Sequence, residues 1–155
     1  MTEVSTSALD NIDWKLLAEL QRDARTPIAE LGRRVNLGAS ATADRVRRLQ
    51  ESGVINGFRA EIDLDRVGYP ILAFVRLRYP TGNYRPLHAE LDHTQEILEC
   101  HHVTGEDCFV LKVAASSMAH LEQLTGRLAT LGSVATSVVY SSTLASRVLA
   151  DPASR

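Results

Sequence analysis

The sequence has few of the residues that define zinc, disulfide or hydrolytic sites. It has two cysteines in 155 residues, Cys100 and Cys108, and it shows no His-x3-His or Cys-x2-Cys spacing. Such spacings supply the ligands of zinc sites, so their absence argues against a bound metal. A G-x-S-x-G motif, which marks the nucleophile of many hydrolases, is also missing. We therefore expect no metal, no cofactor and no catalytic residues.

Long apolar runs and an export signal are lacking too. No apolar run approaches the roughly 20 residues that a membrane-spanning helix needs. The first ten residues, MTEVSTSALD, are polar and acidic, unlike a secretory signal. We expect both cysteines to be free thiols, with a cross-strand disulfide as the alternative. The sequence thus predicts a cytoplasmic protein with no membrane partner.

Positive charge does not exceed negative charge over the chain as a whole, but it is concentrated in one stretch. The formal net charge of the chain is −2, whereas residues 33–50 have a local charge of +4, since five arginines face only Asp44. A basic patch of this kind suits a polyanionic partner such as DNA. A solvated helix face is the alternative explanation for the same residues. The five arginines are Arg33, Arg34, Arg45, Arg47 and Arg48.

The first 56 residues show apolar residues at helical spacing in three segments. Asp10 precedes the first segment, and Asp13 follows three positions later, an arrangement that resembles a capping box. Asn36 lies between the second and third segments, and Asn tolerates the left-handed conformation that ends helices. Three short helices with a tight second connection form a helix-turn-helix unit. The inward positions of the third segment are Thr42, Val46 and Leu49.

The second half alternates between strand and helix patterns. From residue 69 onward the order is strand–helix–strand–strand–helix–strand, which is the ferredoxin-like βαββαβ pattern. The sequence therefore predicts an α+β fold in which a winged-type helix-turn-helix domain spans residues 1–56. A linking strand or hinge spans residues 57–68, and the ferredoxin-like domain spans residues 69–155. A sheet with helices on one face leaves the other face to be covered, which favours a homodimer.

The third helix is the candidate DNA-binding element. Small residues near its start let a helix approach base edges in the major groove, and arginines farther along contact guanines or phosphates. We expect Arg45 and Arg48 to point outward and contact base edges, and Arg47 to contact phosphate. The candidate DNA-binding residues are Ser40, Ala41, Asp44, Arg45, Arg47 and Arg48.

These segments together resemble the leucine-responsive/asparagine-regulator (Lrp/AsnC) family of bacterial and archaeal transcription factors. The likeness covers nearly the whole chain and rests on LDNIDWKLLAELQRDAR, ELGRRVNL, DRVRRLQESGVINGF and VTGEDCFVLKV. The resemblance implies an N-terminal DNA-binding domain, a linking strand, and a C-terminal domain that dimerises and senses small molecules, typically amino acids. It also implies that dimers assemble into rings, often octamers.

The effector site is expected at the turn TGED. An amino acid needs acidic groups for its ammonium and N–H donors for its carboxylate. Glu106 or Asp107 could supply the acidic group that binds the ammonium. Backbone N–H groups around Gly105 could bind the carboxylate, since glycine lets the backbone come close to a ligand. A solvated hairpin turn without a ligand is the alternative. In the family the matching loop lies at the contact between dimers, near the last strand, which adds two hydroxyl residues. The candidate effector-binding residues are Thr104, Gly105, Glu106, Asp107, Cys108, Thr136 and Ser137.

The turn also departs from the family pattern. The family commonly has Gly-Asp, an aromatic residue and then Asp, where this chain has Gly-Glu-Asp-Cys at residues 105–108. The acidic character is kept, while the aromatic residue and the second Asp of that pattern are absent. This departure bears on which ligand the turn would bind.

The sequence as a whole predicts a sequence-specific DNA-binding transcription regulator. Its DNA binding or assembly would be modulated by a small-molecule effector, an amino acid. Its partners would be double-stranded DNA, the effector, and further copies of the chain, as a homodimer that assembles to an octamer. Two alternatives stay open: a ligand-independent DNA-organising protein, and an enzyme like the sirohaem decarboxylases, which resemble this family in fold.

Overall fold

The computed structural model describes residues 9–80, 82–105 and 108–154. Its contacts divide the chain into two compact units. The first unit contains the described residues up to Ala60 together with those from Leu144 onward, and the second is Glu61–Thr143. The sequence-based boundaries had placed the segment after Thr143 in the second domain. Within the described ranges, no helix has the length and apolar character that crossing a membrane requires.

Three helices form the first unit. The first begins at Asp10, whose carboxylate accepts the N–H groups of Ile12 and Asp13 at 2.9 and 2.8 Å. The Asp13 carboxylate in turn accepts the Asp10 N–H at 3.2 Å. This reciprocal capping box confirms the prediction for the start of the helix. The helices are α1 (Asn11–Arg22), α2 (Ile28–Val35) and α3 (Ala39–Glu51).

Leucine and valine side chains from all three helices form the core of the first unit. The second helix ends at Asn36, which has a φ of 58° and lies in the left-handed region, as the sequence predicts. Thr42 on α3 is fully buried, and its hydroxyl donates to the Gly38 carbonyl at 2.9 Å. The buried apolar residues of this core are Leu16, Leu20, Leu31, Val35 and Val46.

α2 and α3 approach each other closely at Gly32. A Cβ atom built on this residue would lie 2.6 Å from the Leu37 carbonyl oxygen and 2.9 Å from Thr42 Oγ1, shorter than normal contacts. The Gly32 carbonyl also accepts the Leu37 N–H at 2.8 Å. The missing side chain therefore allows the turn to fold back onto α2, a requirement that the sequence analysis did not detect.

The second unit is a four-stranded antiparallel sheet with two helices. Its strand order is β2-β3-β1-β4, which is the ferredoxin-like arrangement and confirms the predicted fold class. The second helix of this unit begins at Ser117, whose hydroxyl accepts the His120 N–H. The elements are β1 (Ile71–Arg78), α4 (Arg85–His93), β2 (Ile97–His102), β3 (Phe109–Ala115), α5 (Met118–Ala129) and β4 (Ser133–Val138).

One face of the sheet packs against α4 and α5 in a single apolar core. The opposite face, called the open face, includes a row of residues that the strand register places side by side. Phe74 in this row is 41% exposed, and Lys112 Nζ lies 3.0 Å from Glu99 Oε1. The open face is thus partly apolar and partly charged. The row runs across the sheet as Glu99, Lys112, Phe74 and Ser137.

The segment predicted as a linking strand or hinge, residues 57–68, forms no strand within a single chain, and its role as a link stays a prediction. Residues 56–63 have no regular structure, and Asp65–Val67 form one short 3-10 turn. A strand needs a neighbour to satisfy its N–H and C=O groups, and no described residue of this chain pairs with the segment. The described part of the first unit also contains no strand that could form a wing.

Candidate DNA-binding and effector-binding sites

The start of α3 presents a small and uncharged surface. Ser40 and Ala41 are exposed, and the first turn of the helix has no acidic residue. Gly38, the N-cap, has no side chain that could cap the helix. Because the first N–H groups of a helix lack intrahelical partners and carry partial positive charge, they attract phosphate oxygens. This end of α3 can therefore approach a nucleic-acid backbone closely.

Arg45 joins α3 to the start of α1. Its Nη1 lies 2.6 Å from Asp10 Oδ2 and 2.8 Å from Asp13 Oδ1. The Arg45 side chain is only 22% exposed as a result. The prediction that Arg45 points outward is therefore wrong, because carboxylates more than thirty positions earlier in the chain hold its guanidinium. Its role in DNA binding stays a prediction.

Hydrogen bonding keeps this link charged. The Asp13 N–H and then the Arg45 guanidinium lower the pKa of Asp10 below its ordinary value of 3.8. The same contacts raise the pKa of Arg45, first through the hydrogen bond to Asp10 and then through that to Asp13. Opposite charges that hydrogen-bond each other favour their ionised forms. The link between α1 and α3 is therefore ionic throughout the neutral pH range.

Acidic residues of α1 and α2 neutralise the arginines of α2. Arg34 Nη1 lies 2.6 Å from Glu19 Oε2, and Arg34 Nε lies 3.0 Å from Glu30 Oε1. Arg33 also pairs with Glu30. The hydrogen bond from Arg34 is the main cause that lowers the pKa of Glu19 and of Glu30. A charge count along residues 33–50 misses both glutamates, although they lie beside the patch in space.

Arg47 and Arg48 are the exposed arginines of α3. Arg47 Nη2 lies 2.7 Å from Asp44 Oδ1, and Arg47 Nε lies 3.7 Å from Glu51 Oε1. Such exposed pairs within a helix are weak and exchange readily for another anion. Arg48 has no ion-pair partner among residues 9–80, 82–105 and 108–154. Arg48 can therefore bind a phosphate or a base without breaking an existing pair.

The turn between β2 and β3 contains most of the candidate effector-binding residues. Two of them, Glu106 and Asp107, lie outside the described residues. Thr104 is exposed, and Gly105 has a φ of 113°, a conformation that strains any residue with a Cβ. The Val103 N–H donates to the Cys108 carbonyl at 2.8 Å, so hydrogen bonding between the two strands continues up to the turn. A glycine is therefore required at position 105.

Cys108, the last residue of the predicted effector turn, faces inward. Its Sγ accepts the Tyr79 N–H at 3.3 Å and packs against the core of the second unit. Both cysteines are free, as predicted, and burial raises the pKa of the Cys100 thiol. The Cys108 side chain therefore supports the chain just after β1, and its role in effector binding stays a prediction.

Thr136 and Ser137 lie on opposite faces of the sheet. Thr136 pairs with Val75, whose side chain is in the core, and Ser137 pairs with Phe74 on the open face. The strand order places β4 two strands from β3, a lateral distance of about 10 Å. Within one chain, β4 therefore lies two strands away from the strand that follows the turn, and a site that these hydroxyl groups share with the turn stays a prediction.

An aromatic cluster flanks the turn. His102 stacks on Phe109 with ring centroids 4.6 Å apart, and Tyr84 lies 5.7 and 5.6 Å from these two rings. His101 instead contacts Glu99 at 3.2 Å, so the two adjacent histidines occupy opposite faces of the strand. The cluster was missed because its rings come from the N-cap of α4, from β2 and from β3. Only the strand register aligns His102 with Phe109.

The two units define a class of protein: a regulator that combines a helix-turn-helix DNA-binding unit with a separate α+β domain. Comparison with family models agrees with this class. The model of the AsnC-type helix-turn-helix domain matches residues 9–50, and that of the Lrp/AsnC ligand binding domain matches residues 72–149. The chain belongs to the Lrp/AsnC family of DNA-binding transcriptional regulators.

Individual relatives extend the same comparison. The HTH-type transcriptional regulator LrpA of Mycobacterium tuberculosis is 40% identical over 83% of this chain and 87% of its own length. The solved structure of LrpC from Bacillus subtilis has a TM-score of 0.85 at 27% identity, covering 90% of this chain and 99% of that one. A feast or famine regulatory protein from M. tuberculosis, complexed with L-methionine, has a TM-score of 0.81 at 34% identity, covering 92% and 100%.

Proposed function

We propose that this chain binds specific double-stranded DNA through α3, and that an amino acid bound to the second unit changes its DNA affinity or its assembly. One observation supports the DNA contact most directly. Arg48 is exposed on α3 without an ion-pair partner among the described residues, about two turns beyond the small residues Ser40 and Ala41. A helix that begins with small residues and continues with a free guanidinium suits the major groove.

The effector part of the proposal is supported by the second unit. Its match to a ligand binding domain, and a structurally similar regulator complexed with L-methionine, favour an amino acid. The sequence of the turn adds the required chemistry, because Glu106 and Asp107 are acidic and Gly105 allows close approach of backbone N–H groups. Thr136 or Ser137 would contribute from a second copy, since within one chain β4 is two strands away from β3.

The proposed assembly is a homodimer that forms larger rings, up to an octamer. Phe74 exposes 41% of its surface on the open face, and Phe58 and Ile62 in the linking segment are 47% and 56% exposed. Antiparallel sheets of this kind bury one face, and apolar residues on the other face favour a partner sheet. The linking segment has no strand neighbour among the described residues of its own chain, and its exposed apolar side chains also favour contact with a second copy.

A thermal-shift screen against the twenty amino acids, followed by DNA titration, tests the proposed function. A ligand that binds only the folded state stabilises it by RT ln(1 + [L]/Kd), about 2.7 kcal/mol at one hundred times Kd. We expect one or more amino acids to raise the melting temperature and to change the DNA Kd or the assembly size. DNA binding without any amino-acid response would instead support the ligand-independent DNA organiser.

The acidic residues of the turn provide a sharper test. The double variant Glu106→Ala, Asp107→Ala should lose the ligand-induced change in DNA affinity and keep the affinity measured without ligand. The matched control removes two exposed acidic residues of α4 and α5, Asp92→Ala with Glu122→Ala, and should respond like the wild type. If the turn variant also responds like the wild type, the sensor lies elsewhere.

The dimer interface is tested by a single substitution on the open face. Phe74→Glu places a charge where the proposed partner sheet would exclude water. The neighbouring Lys112 already pairs with Glu99, so burying the added carboxylate is costly. We expect light scattering at micromolar concentration to show a smaller particle than the wild type. Wild-type chain that is already monomeric would contradict the proposed interface.

A further inference from the structure

The side chain of Gln21 binds the backbone of the C-terminal segment. Gln21 Oε1 accepts the Leu149 N–H at 2.8 Å, and Gln21 Nε2 donates to the Leu149 carbonyl at 3.1 Å. The same Nε2 donates to the Leu17 carbonyl at 3.1 Å. This last contact fixes the amide on the surface of α1, since an amide nitrogen has two hydrogens to donate. One side chain therefore satisfies both backbone groups of a residue 128 positions away.

This contact belongs to a longer docked segment. Residues from Leu144 onward cluster with the three helices of the first unit, although they follow β4 in the chain. Val148 is half-buried, and so is Asp151, whose carboxylate accepts the Ala153 N–H at 2.8 Å. The Leu149 side chain is 68% exposed. Backbone hydrogen bonds, more than burial of leucine, therefore hold this part of the segment.

The chain consequently connects the two units twice. It leaves the first unit after Ala60 through a segment without regular structure and enters it again at Leu144. The second connection continues from β4, the edge strand that pairs with β1. Residues 139–143 link the end of β4 to the segment that contacts α1.

We propose that residues 144–151, the C-terminal strap, couple the effector domain to the DNA-binding unit by docking on α1 through Gln21. Effector binding that displaces β4 releases the strap and changes the freedom of the DNA-binding unit. This rests on the proposed function, because it requires an effector that acts on the second domain. The net free energy of two neutral hydrogen bonds is small, so a ligand with different affinities for the docked and released states can shift this equilibrium.

Hydrogen–deuterium exchange of the full-length chain tests the docking itself. Gln21→Ala should make the strap exchange about tenfold faster, since both hydrogen bonds to Leu149 are lost. Gln21→Glu keeps an acceptor for the Leu149 N–H and loses the donor, so its exchange should be intermediate. Gln123→Ala, an exposed glutamine of α5, is the matched control and should exchange like the wild type. A strap that exchanges equally fast in wild type and Gln21→Ala would overturn the proposal.

DNA titration of the same variants tests the coupling. Without ligand, Gln21→Ala should change the DNA Kd at least about threefold relative to Gln123→Ala. L-methionine should change the DNA Kd of Gln21→Ala less than that of the wild type.

A Gln21→Ala variant that matches the wild type in both measurements overturns the strap proposal alone, provided that the wild type binds DNA and responds to L-methionine. A wild type that does not bind DNA overturns the proposed function instead. A wild type that binds DNA but responds to none of the twenty amino acids overturns the coupling together with the effector proposal.

Discussion

The Arg45 guanidinium on α3 lies 2.8 Å from the Asp13 carboxylate at the start of α1. Asp13 therefore has two functions, because it also accepts the Asp10 N–H as part of the capping box. A capping box ordinarily stabilises one helix end. Here the same carboxylates also hold a second helix, which is the candidate DNA-binding element. The orientation of α3 against α1 thus depends on an ionic contact as well as on the leucine core.

Arg45→Ala should destabilise the first unit. The substitution removes both ionic hydrogen bonds and leaves two carboxylates near each other, and we expect the free energy of unfolding to fall by about 1 kcal/mol, since the group is partly exposed. Urea denaturation measures the change. Arg47→Ala is the control, because its pairs are exposed and within one helix, and it should leave the stability within about 0.5 kcal/mol of the wild type. Equal stability of Arg45→Ala and wild type would show that the contact contributes nothing.

Arg48→Ala should weaken DNA binding and leave folding unchanged. Its side chain has no ion-pair partner in the described part of the chain, so its removal breaks no such pair. We expect the free energy of DNA binding to weaken by about 1–3 kcal/mol if Arg48 contacts a guanine. Titration against specific and mutated operator DNA measures this change. Arg47→Ala should instead lower the slope of log Kd against log salt by about one, as expected for one phosphate contact. Unchanged DNA affinity in the Arg47→Ala, Arg48→Ala double variant would show that this face of α3 does not contact DNA.

Acid should destabilise the first unit partly through Asp10. Its folded-state pKa lies below the ordinary value of 3.8, so its ionised form stabilises the native state above that value. The stabilisation is lost as the pH falls from about 4 through the lower folded-state pKa. Asp10→Asn should therefore flatten the pH dependence of stability below pH 4, measured by denaturation at several pH values. Asp23→Asn serves as a control, since Asp23 does not contact Arg45. If the unfolding free energy of the two variants depended equally on pH below pH 4, the attribution of this dependence to Asp10 would be contradicted.

Gly32→Ala should destabilise the helix-turn-helix. The added Cβ would lie 2.6 Å from the Leu37 carbonyl oxygen, which belongs to the backbone and cannot rotate away. We expect a loss of about 1–2 kcal/mol even though alanine favours helices. Gly126→Ala on the exposed side of α5 is the matched control, because its Cβ would meet nothing within 4 Å. The unfolding free energy of that variant should rise by up to about 1 kcal/mol. Thermal denaturation should show a higher melting temperature for Gly126→Ala and a lower one for Gly32→Ala.

Local patterns predicted most elements of this fold. The capping box at Asp10, the left-handed Asn36 and the buried face of Thr42, Val46 and Leu49 all follow from spacing within a few residues. The strand order follows from the order of the elements, since the βαββαβ pattern has few compact solutions. Predictions failed where a partner was needed from elsewhere. The linking segment around Phe58 has strand-like alternation but no neighbouring strand within the part of its own chain that the structure describes.

The candidate sites show the same division. Residue type and helical spacing predicted that α3 exposes Ser40, Ala41 and Arg48. The partners of Arg45 could not be predicted, because Asp10 and Asp13 lie more than thirty positions earlier and no spacing rule connects them. Distances across a folded surface depend on how helices cross, and a window along the sequence does not contain that information.

The pairing of Gln21 with Leu149 has a consequence for protein synthesis. The three helices of the first unit leave the ribosome before the second unit does, and domains generally fold in the order in which they emerge. The partner of Gln21, however, is translated 128 residues later, after the whole of the second unit. A nascent chain can therefore form α1, α2 and α3 early, while this surface of α1 stays open to solvent until Leu149 has emerged. The unit that can begin to fold first is completed only after the second unit has been translated.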